Sequence, residues 1–145
     1  MHIRNAEEDF VGKNYVDIED ERGETLRYRK HANGRGLIAN GAKVHKQAHI
    51  EAGAYVEPGA KIGANALIAR GAWIEPNAVI GVGARIDAHA HVGPGAVIGD
   101  GAHIGVRTEV GPGAHVARNA KIGDDETIAP GKAISTDRRG LWLAA

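Results

Sequence analysis

Histidines and carboxylates are the side chains of this sequence best suited to chemistry. His89, His91, His103 and His115 fall in one stretch of the chain. Imidazole exchanges a proton near neutral pH and, when neutral, is a common zinc ligand. Glu109 follows His91 after eighteen residues, and a carboxylate at the right distance can orient an imidazole. The alternative is that His91 is a solvent-facing or interface histidine, so the elements that carry these side chains decide what they can do.

A repeat of six residues predicts those elements. Seventeen β-branched residues recur at this spacing, and a small residue, usually alanine, stands two positions before most of them. The seventeen are Ile38, Val44, Ile50, Val56, Ile62, Ile68, Ile74, Ile80, Ile86, Val92, Ile98, Ile104, Val110, Val116, Ile122, Ile128 and Ile134. β-Branched residues favour strands, and the Gly, Asn or Asp that usually precedes the alanine tolerates the positive φ of a turn. The repeat therefore predicts short strands joined by tight corners.

A second period of eighteen residues groups the hexads in threes. All five prolines keep this spacing: Pro58, Pro76, Pro94, Pro112 and Pro130. Proline has no N–H to donate to a strand ladder, so it belongs at a corner. Three hexads therefore form one coil of a triangular prism of parallel strands, with the alanine and aliphatic side chains pointing inward. Seventeen hexads at three per coil give about 5.7 coils.

The composition excludes several other classes of protein. The 145 residues include no cysteine, which removes disulfide frameworks, thiolate zinc sites and cysteine nucleophiles. A hydrophobic content of 43% is too high for a solvated coil. Eighteen basic and eighteen acidic residues balance, so we expect neither a nucleic-acid nor a membrane partner. Nothing at the start reads as a signal peptide, and we expect a cytoplasmic protein.

The repeat resembles a known superfamily. The runs at 60–63 (AKIG), 96–99 (AVIG) and 102–105 (AHIG) are similar to those of hexapeptide-repeat proteins, and the resemblance covers about residues 36–136. It implies an all-β fold, a left-handed parallel β-helix; the handedness comes from the superfamily. Its members include acyltransferases, γ-class carbonic anhydrases and non-catalytic assembly subunits, commonly as trimers, so a homotrimer is expected.

The ends of the chain depart from the repeat. Residues 1–36 are predicted to form an N-terminal β-hairpin that caps the first coil, with strands at 15–18 and 25–28 and a turn at Arg22-Gly23. Residues 37–136 form the β-helix. Residues 137–145 form a short C-terminal tail, and its apolar end with Trp142 is expected to pack on its own chain or on a neighbour.

Residues eighteen positions apart lie above one another in successive coils, which places the outward residues on three faces. Tyr55 and Trp73 share one column with His91 and Glu109, and we expect the hairpin, the tail or another subunit to cover this aromatic pair, or a ligand to stack on it. Val79 and Val97 form an apolar strip on a second face, which predicts a subunit interface.

The same sorting bears on metal binding. His91, His103 and His115 belong to three different faces, so one chain cannot direct them to one ion. No metal site is predicted.

The resemblance leaves three functions to weigh. Acyltransferases of the superfamily use a histidine at a subunit cleft as general base, and the activated hydroxyl or amine attacks a CoA thioester; His91 with Glu109 is the matching pair here. Carbonic anhydrases of the superfamily carry Arg-Gly-Asp and His-x4-His. Here Ala72 follows Arg70-Gly71, and His45 and His49 form His-x3-His, so this function is the least favoured.

Two features typical of the acyltransferases are missing. The hexads run without a protruding loop, and the tail has no motif like Gly-x-Pro-Ala. The sequence therefore predicts a non-catalytic protein that acts through oligomerisation and surface contacts and needs no cofactor. The alternative is an acyltransferase that uses a CoA thioester and a small hydroxyl or amine acceptor.

Overall fold

The computed structural model describes residues 2–4 and 15–135 of the chain. These residues form strands joined by turns, and they contain no helix that is long and apolar enough to cross a membrane. Three strands precede the repeat: β1 (His2–Arg4), β2 (Tyr15–Glu19) and β3 (Thr25–Lys30). Seventeen short strands follow: β4 (Leu37–Ala39), β5 (Lys43–Val44), β6 (His49–Ile50), β7 (Tyr55–Val56), β8 (Lys61–Ile62), β9 (Leu67–Ile68), β10 (Trp73–Ile74), β11 (Val79–Ile80), β12 (Arg85–Ile86), β13 (His91–Val92), β14 (Val97–Ile98), β15 (His103–Ile104), β16 (Glu109–Val110), β17 (His115–Val116), β18 (Lys121–Ile122), β19 (Thr127–Ile128) and β20 (Ala133–Ile134).

Every third strand pairs in parallel, so the repeat winds into three sheets. One sheet has the order β1-β2-β3-β4-β7-β10-β13-β16-β19 and is called the site sheet below. The second sheet has the order β20-β17-β14-β11-β8-β5, and the third has the order β18-β15-β12-β9-β6. The predicted all-β parallel β-helix is confirmed, because each of the seventeen aliphatic positions falls in one of the seventeen strands.

The inside of the prism is filled by the two repeating side chains. The alanines and β-branched residues from Ala48 to Ile134 form one continuous buried core. Thr108 replaces an alanine and is also fully buried. Its hydroxyl donates to the carbonyl of Gly123 at 2.6 Å and accepts from the amide of Glu126 at 3.1 Å, so the polar group is satisfied within the core.

The corners impose a positive φ on whatever residue stands there. Glycine and asparagine occupy most of these positions, as the repeat predicts. His89 (φ 61°) and Arg107 (φ 59°) adopt the same left-handed conformation although their side chains disfavour it. The ladder on both sides of each corner holds the backbone in place, with the His89 amide donating to the Arg70 carbonyl at 3.1 Å.

The N-terminal hairpin extends the site sheet. Strands β2 and β3 pair antiparallel around a turn in which the Gly23 amide donates to the Asp20 carbonyl at 3.0 Å. Strand β3 in turn pairs antiparallel with β4, so the hairpin covers the edge of the first coil in this sheet. The hairpin is confirmed, whereas the domain limits at 36 and 136 stay predictions. The tail at 137–145 lies outside the described residues.

Candidate functional site

The predicted column of outward residues lies along the site sheet. Strands β7, β10, β13 and β16 are in parallel register, which aligns Tyr55 with Trp73, Trp73 with His91, and His91 with Glu109. The eighteen-residue spacing therefore brings His91 and Glu109 onto adjacent strands. Glu109 Oε1 lies 4.0 Å from His91 Nδ1, and the Glu109 side chain is 69% exposed.

A second carboxylate contacts His91 more closely. His91 Nε2 is hydrogen-bonded to Glu75 Oε2, and only 20% of the Glu75 side chain is exposed. A carboxylate accepts, so Nε2 carries the proton and donates it to this bond. Nδ1 of the neutral ring is then the acceptor nitrogen, and it lies on the side of Glu109. The spacing of eighteen residues does not identify Glu75 as a partner of His91.

A spacing of sixteen residues is the signal that identifies this partner. One coil takes eighteen residues, and each strand has two outward positions, the second lying two residues after the first. A side chain at the second position therefore contacts the first-position residue of the next coil, which is sixteen residues later in the chain. The same rule gives three contacts: Glu57 with Trp73, Glu75 with His91, and Asp87 with His103.

The indole of Trp73 stacks on the imidazole of His91. The ring centroids are 4.8 Å apart and the planes are 16° from parallel. Trp73 Nε1 donates to Glu57 Oε2 at 2.6 Å, although the Trp73 residue is 43% exposed. An indole face attracts a cation, so the stack favours the imidazolium that forms when His91 takes a proton.

The hairpin contributes to the same surface. The Tyr28 hydroxyl donates to Glu57 Oε1, and the Tyr28 ring meets that of Tyr55 edge to face, with centroids 6.0 Å apart. Burial, together with the hydrogen bond to Glu57 and its negative charge, raises the pKa of the Tyr28 phenol far above its ordinary value. Tyr28 is therefore a neutral donor throughout the physiological range. The hairpin packs on Tyr55, whereas Trp73 keeps an open face.

A pocket of about 380 Å³ opens beside these rings. It is lined by Tyr55, Trp73, Glu57 and the corner glycines Gly53 and Gly71. The register places it one coil from His91, on the Tyr55 side of Trp73. The pocket can receive a small group on this side of Trp73, and the indole separates it from His91.

The third sheet carries another acid–histidine pair. His103 Nε2 is 2.6 Å from Asp87 Oδ2, and Arg85 Nε donates to Asp87 Oδ1 at 2.9 Å. Burial raises the pKa of Asp87, but the hydrogen bonds and positive charges of His103 and Arg85 outweigh it and hold that pKa below its usual range. In this pair the carboxylate is shared between an imidazole and a guanidinium.

The predicted apolar strip lies on the second sheet. Val79 and Val97 are in register on β11 and β14, and both are half-buried. Val79 also lines an open groove of about 690 Å³ that includes Arg29, Lys43 and Lys61. Trp142, the other predicted surface residue, lies outside the described residues.

The histidines considered for a metal site lie apart. His91, His103 and His115 belong to the site sheet, the third sheet and the second sheet, in that order. Among residues 2–4 and 15–135, no three His, Cys, Asp or Glu side chains come together in a way that could hold a metal ion.

Comparison with known proteins gives a family and several solved structures. A family of bacterial transferase hexapeptides, described as six repeats, matches residues 41–76. The sequence matches none of the curated proteins. The perosamine N-acetyltransferase of Caulobacter crescentus, solved in complex with CoA and GDP-perosamine, is similar over 68% of this chain and 49% of its own, with 28% identity and a TM-score of 0.64. The acetyltransferase domain of PglB from Neisseria gonorrhoeae has 25% identity and a TM-score of 0.43, over 68% of this chain and 48% of its own.

These similarities correct the functional prediction. The chain spans about half the length of the acetyltransferases that it matches. The prediction of a non-catalytic assembly protein is wrong, because the similar structure with a TM-score of 0.64 is an acetyltransferase that binds CoA. The missing loop and terminal motif misled the prediction, since a likeness to an acetyltransferase is present without them. The seventeen hexads, the matching family at 41–76 and this structural similarity confirm the predicted resemblance to the hexapeptide-repeat superfamily of left-handed parallel β-helices.

Proposed function

We propose that this protein is an acyltransferase that moves an acyl group from a CoA thioester to an amine or hydroxyl of a small acceptor. One observation carries the proposal: His91 is held by Glu75 at Nε2, is stacked on Trp73, and keeps a third of its side chain exposed, one coil from a pocket that Trp73 lines. An oriented and accessible imidazole is what general-base catalysis requires. The likeness to an N-acetyltransferase with bound CoA supports the same reaction class.

The proposed chemistry is a proton transfer coupled to acyl transfer. His91 Nδ1 takes a proton from the acceptor amine or hydroxyl as its nitrogen or oxygen attacks the thioester carbonyl. The new C–N or C–O bond forms, the C–S bond breaks, and the thiolate of CoA takes the proton from the imidazolium. Glu75 stabilises that imidazolium through the Nε2–H bond, and the negative charge of Glu109 near Nδ1 acts in the same direction.

The groove on the second sheet fits the acyl donor, and because it lies on a different face from His91 in one chain, we propose that it serves the His91 of a neighbouring subunit. Its lining includes Arg29, Lys43 and Lys61, and these cations suit the phosphates of CoA. Asp100 also lines the groove, but its Oδ1 accepts from the amide of Val82 at 2.9 Å. CoA, when bound, supplies the activated acyl group and the leaving thiolate, while the chain supplies charge and orientation.

The acceptor pocket calls for a second subunit. The described pocket has walls on the Tyr55 and Trp73 side and no protruding loop above it, so we propose that a homotrimer completes it across a cleft. The Val79–Val97 strip is the proposed interface. Sedimentation of the variant with Val79→Asp and Val97→Asp tests this, since buried charges at an apolar interface should dissociate the trimer. Retained trimers would show that the strip is not the interface.

The test of activity compares the two histidines. We expect acetyl-CoA turnover with a panel of nucleotide-linked amino sugars, measured as release of the CoA thiol. His91→Asn should lower kcat by about 10²- to 10⁴-fold, the usual range for loss of a general base. His103→Asn is the matched control, because it removes the histidine from the same kind of pair on another face, and it should leave kcat unchanged. Unchanged turnover in His91→Asn would exclude the assignment.

A further inference from the structure

A continuous chain of contacts joins the N-terminal hairpin to His91. Tyr28 in β3 donates its hydroxyl to Glu57, and Glu57 accepts the indole N–H of Trp73 at 2.6 Å. The other end of the chain is the stack of Trp73 on His91, which in turn is bonded to Glu75. The side chains of Tyr28, Glu57 and Trp73 thus connect the hairpin to the imidazole.

Glu57 is unusual among the carboxylates of the site sheet. The residue is only 7% exposed, and its two oxygens are bonded to different elements, Oε1 to the hairpin and Oε2 to β10. A buried carboxylate is costly unless hydrogen bonds compensate it, and here two donors do so. Both bonds use donors that stay protonated, because the phenol of Tyr28 has a strongly raised pKa and an indole N–H does not titrate in this range.

The orientation of Trp73 depends on this carboxylate. The residue is 43% exposed, so packing on its outer side does not fix the ring. An outward side chain on a strand has alternative rotamers, and a hydrogen bond at Nε1 selects one of them. The selected orientation is the one that lies nearly parallel to the imidazole of His91.

We propose that Glu57 and Tyr28 are positioning residues for His91, acting through the indole of Trp73. This inference rests on the proposed acyl transfer. It makes the N-terminal hairpin part of the active-site architecture as well as a cover for the first coil. Neither residue contacts the reacting atoms: Glu57 sets the ring that supports one face of the imidazole, and Tyr28 fixes Glu57.

The kinetic test is a double-mutant cycle. Tyr28→Phe removes only the hydroxyl donor, and Trp73→Phe keeps an aromatic ring but removes the indole N–H. In the unmodified background Tyr28→Phe should lower kcat by roughly three- to tenfold, the range expected for one lost hydrogen bond. In the Trp73→Phe background the same substitution should change kcat by less than about twofold, because the link is already broken. An equal loss in both backgrounds would mean a general structural role and would overturn the proposal.

The spectroscopic test does not require turnover. Near-UV circular dichroism in a Trp142→Phe background reports whether the Trp73 ring is fixed. Glu57→Leu should abolish most of this signal, and Glu57→Gln should restore part of it, since the amide oxygen still accepts one bond. Arg27→Gln is the matched control, because Arg27 lies on the same hairpin strand and pairs with Asp17 at 2.9 Å. It should leave the signal unchanged.

The outcomes separate the two proposals. Absence of turnover in the unmodified protein removes the acyltransferase function, and full activity in His91→Asn removes the role of His91 as its general base. An unchanged Trp73 signal in both Glu57→Leu and Tyr28→Phe removes the positioning role, even if His91→Asn is inactive. Tyr28→Phe keeps the ring and its packing, so this arm stays informative if Glu57→Leu fails to fold.

Discussion

Two acid–histidine pairs of the same construction lie on different faces of the prism. Glu75 with His91 and Asp87 with His103 both join residues sixteen positions apart, and the two histidine side chains are 32% and 35% exposed. Their surroundings differ in charge. His91 has Trp73 on one side and Glu109 in register on the next strand, whereas Asp87 also binds Arg85, and Lys121 is in register with His103.

This difference indicates which histidine suits base catalysis. A general base becomes positively charged in the transition state, so carboxylates and an aromatic face around it stabilise the product of proton uptake. Around His103 the cations of Arg85 and Lys121 oppose the same change. A repeat can thus build an acid–histidine pair wherever its periods allow, and the neighbours decide whether the pair can do chemistry.

The carboxylates provide the largest test of this comparison. Glu75→Gln should lower kcat by about 10- to 100-fold, because the amide no longer stabilises the imidazolium. Asp87→Asn makes the same change in the other pair and should leave kcat within about twofold. Both are measured by CoA release under saturating substrates. Equal losses in the two variants would show that the effect comes from general destabilisation.

The neighbouring side chains provide the next test. Trp73→Leu should lower kcat/KM by about tenfold, since the stack on the imidazolium is worth on the order of 1 kcal/mol and the ring also lines the pocket. Arg85→Leu removes the corresponding neighbour of the other pair and should not alter kcat/KM. An inactive Arg85→Leu variant with an unchanged melting temperature would contradict the contrast drawn between the two faces.

The sequence predicts the prism well because its repeat is strict. Each β-branched position from Ile38 to Ile134 lies in a strand, and the proline period marks one corner of each coil after the first. The in-register contact of His91 with Glu109 follows from the same arithmetic. The diagonal contact with Glu75 was missed because stacking by eighteen compares only like positions, although the neighbouring column was visible in the sequence.

The periodicity of the sequence does not predict the rest of the site. No repeat relates residues 1–36 to the prism, so the sequence does not show that Tyr28 reaches Glu57. The antiparallel pairing of β3 with β4 sets that contact, and it depends on tertiary packing. His89 was likewise not expected at positive φ, because the ladder and not the residue type imposes the corner there.

Two corner glycines give a smaller test, which compares a crowded corner of the backbone with an open one. Gly71 and Gly83 both have positive φ, at 76° and 69°, so alanine at either position costs about 1 kcal/mol. A Cβ on Gly71 would also lie 2.2 Å from His89 Nδ1, whereas a Cβ on Gly83 meets nothing within 4 Å. Gly71→Ala should therefore lower the free energy of unfolding by about 1–2 kcal/mol more than Gly83→Ala in urea denaturation. Equal losses would show that the His89 ring moves away freely.

Acid titration gives the smallest effect and concerns the pair without a catalytic role. The folded state holds the pKa of Asp87 below its usual value of 3.8, so at that pH the unfolded chain binds more protons at this residue. The stability that Asp87 contributes is therefore present above pH 3.8 and is lost as the pH falls through its lower folded value. Asp87→Asn should be less stable than the unmodified protein at pH 7, and the gap should narrow at pH values well below 3.8, as measured by urea unfolding. Asp125→Asn is the control: its carboxyl also has a lowered pKa, through the hydrogen bond from Arg107, but the pair lies exposed on the surface and should affect stability little at either pH. A gap for Asp87→Asn that is the same at both pH values would mean that its bonds to His103 and Arg85 do not depend on its charge.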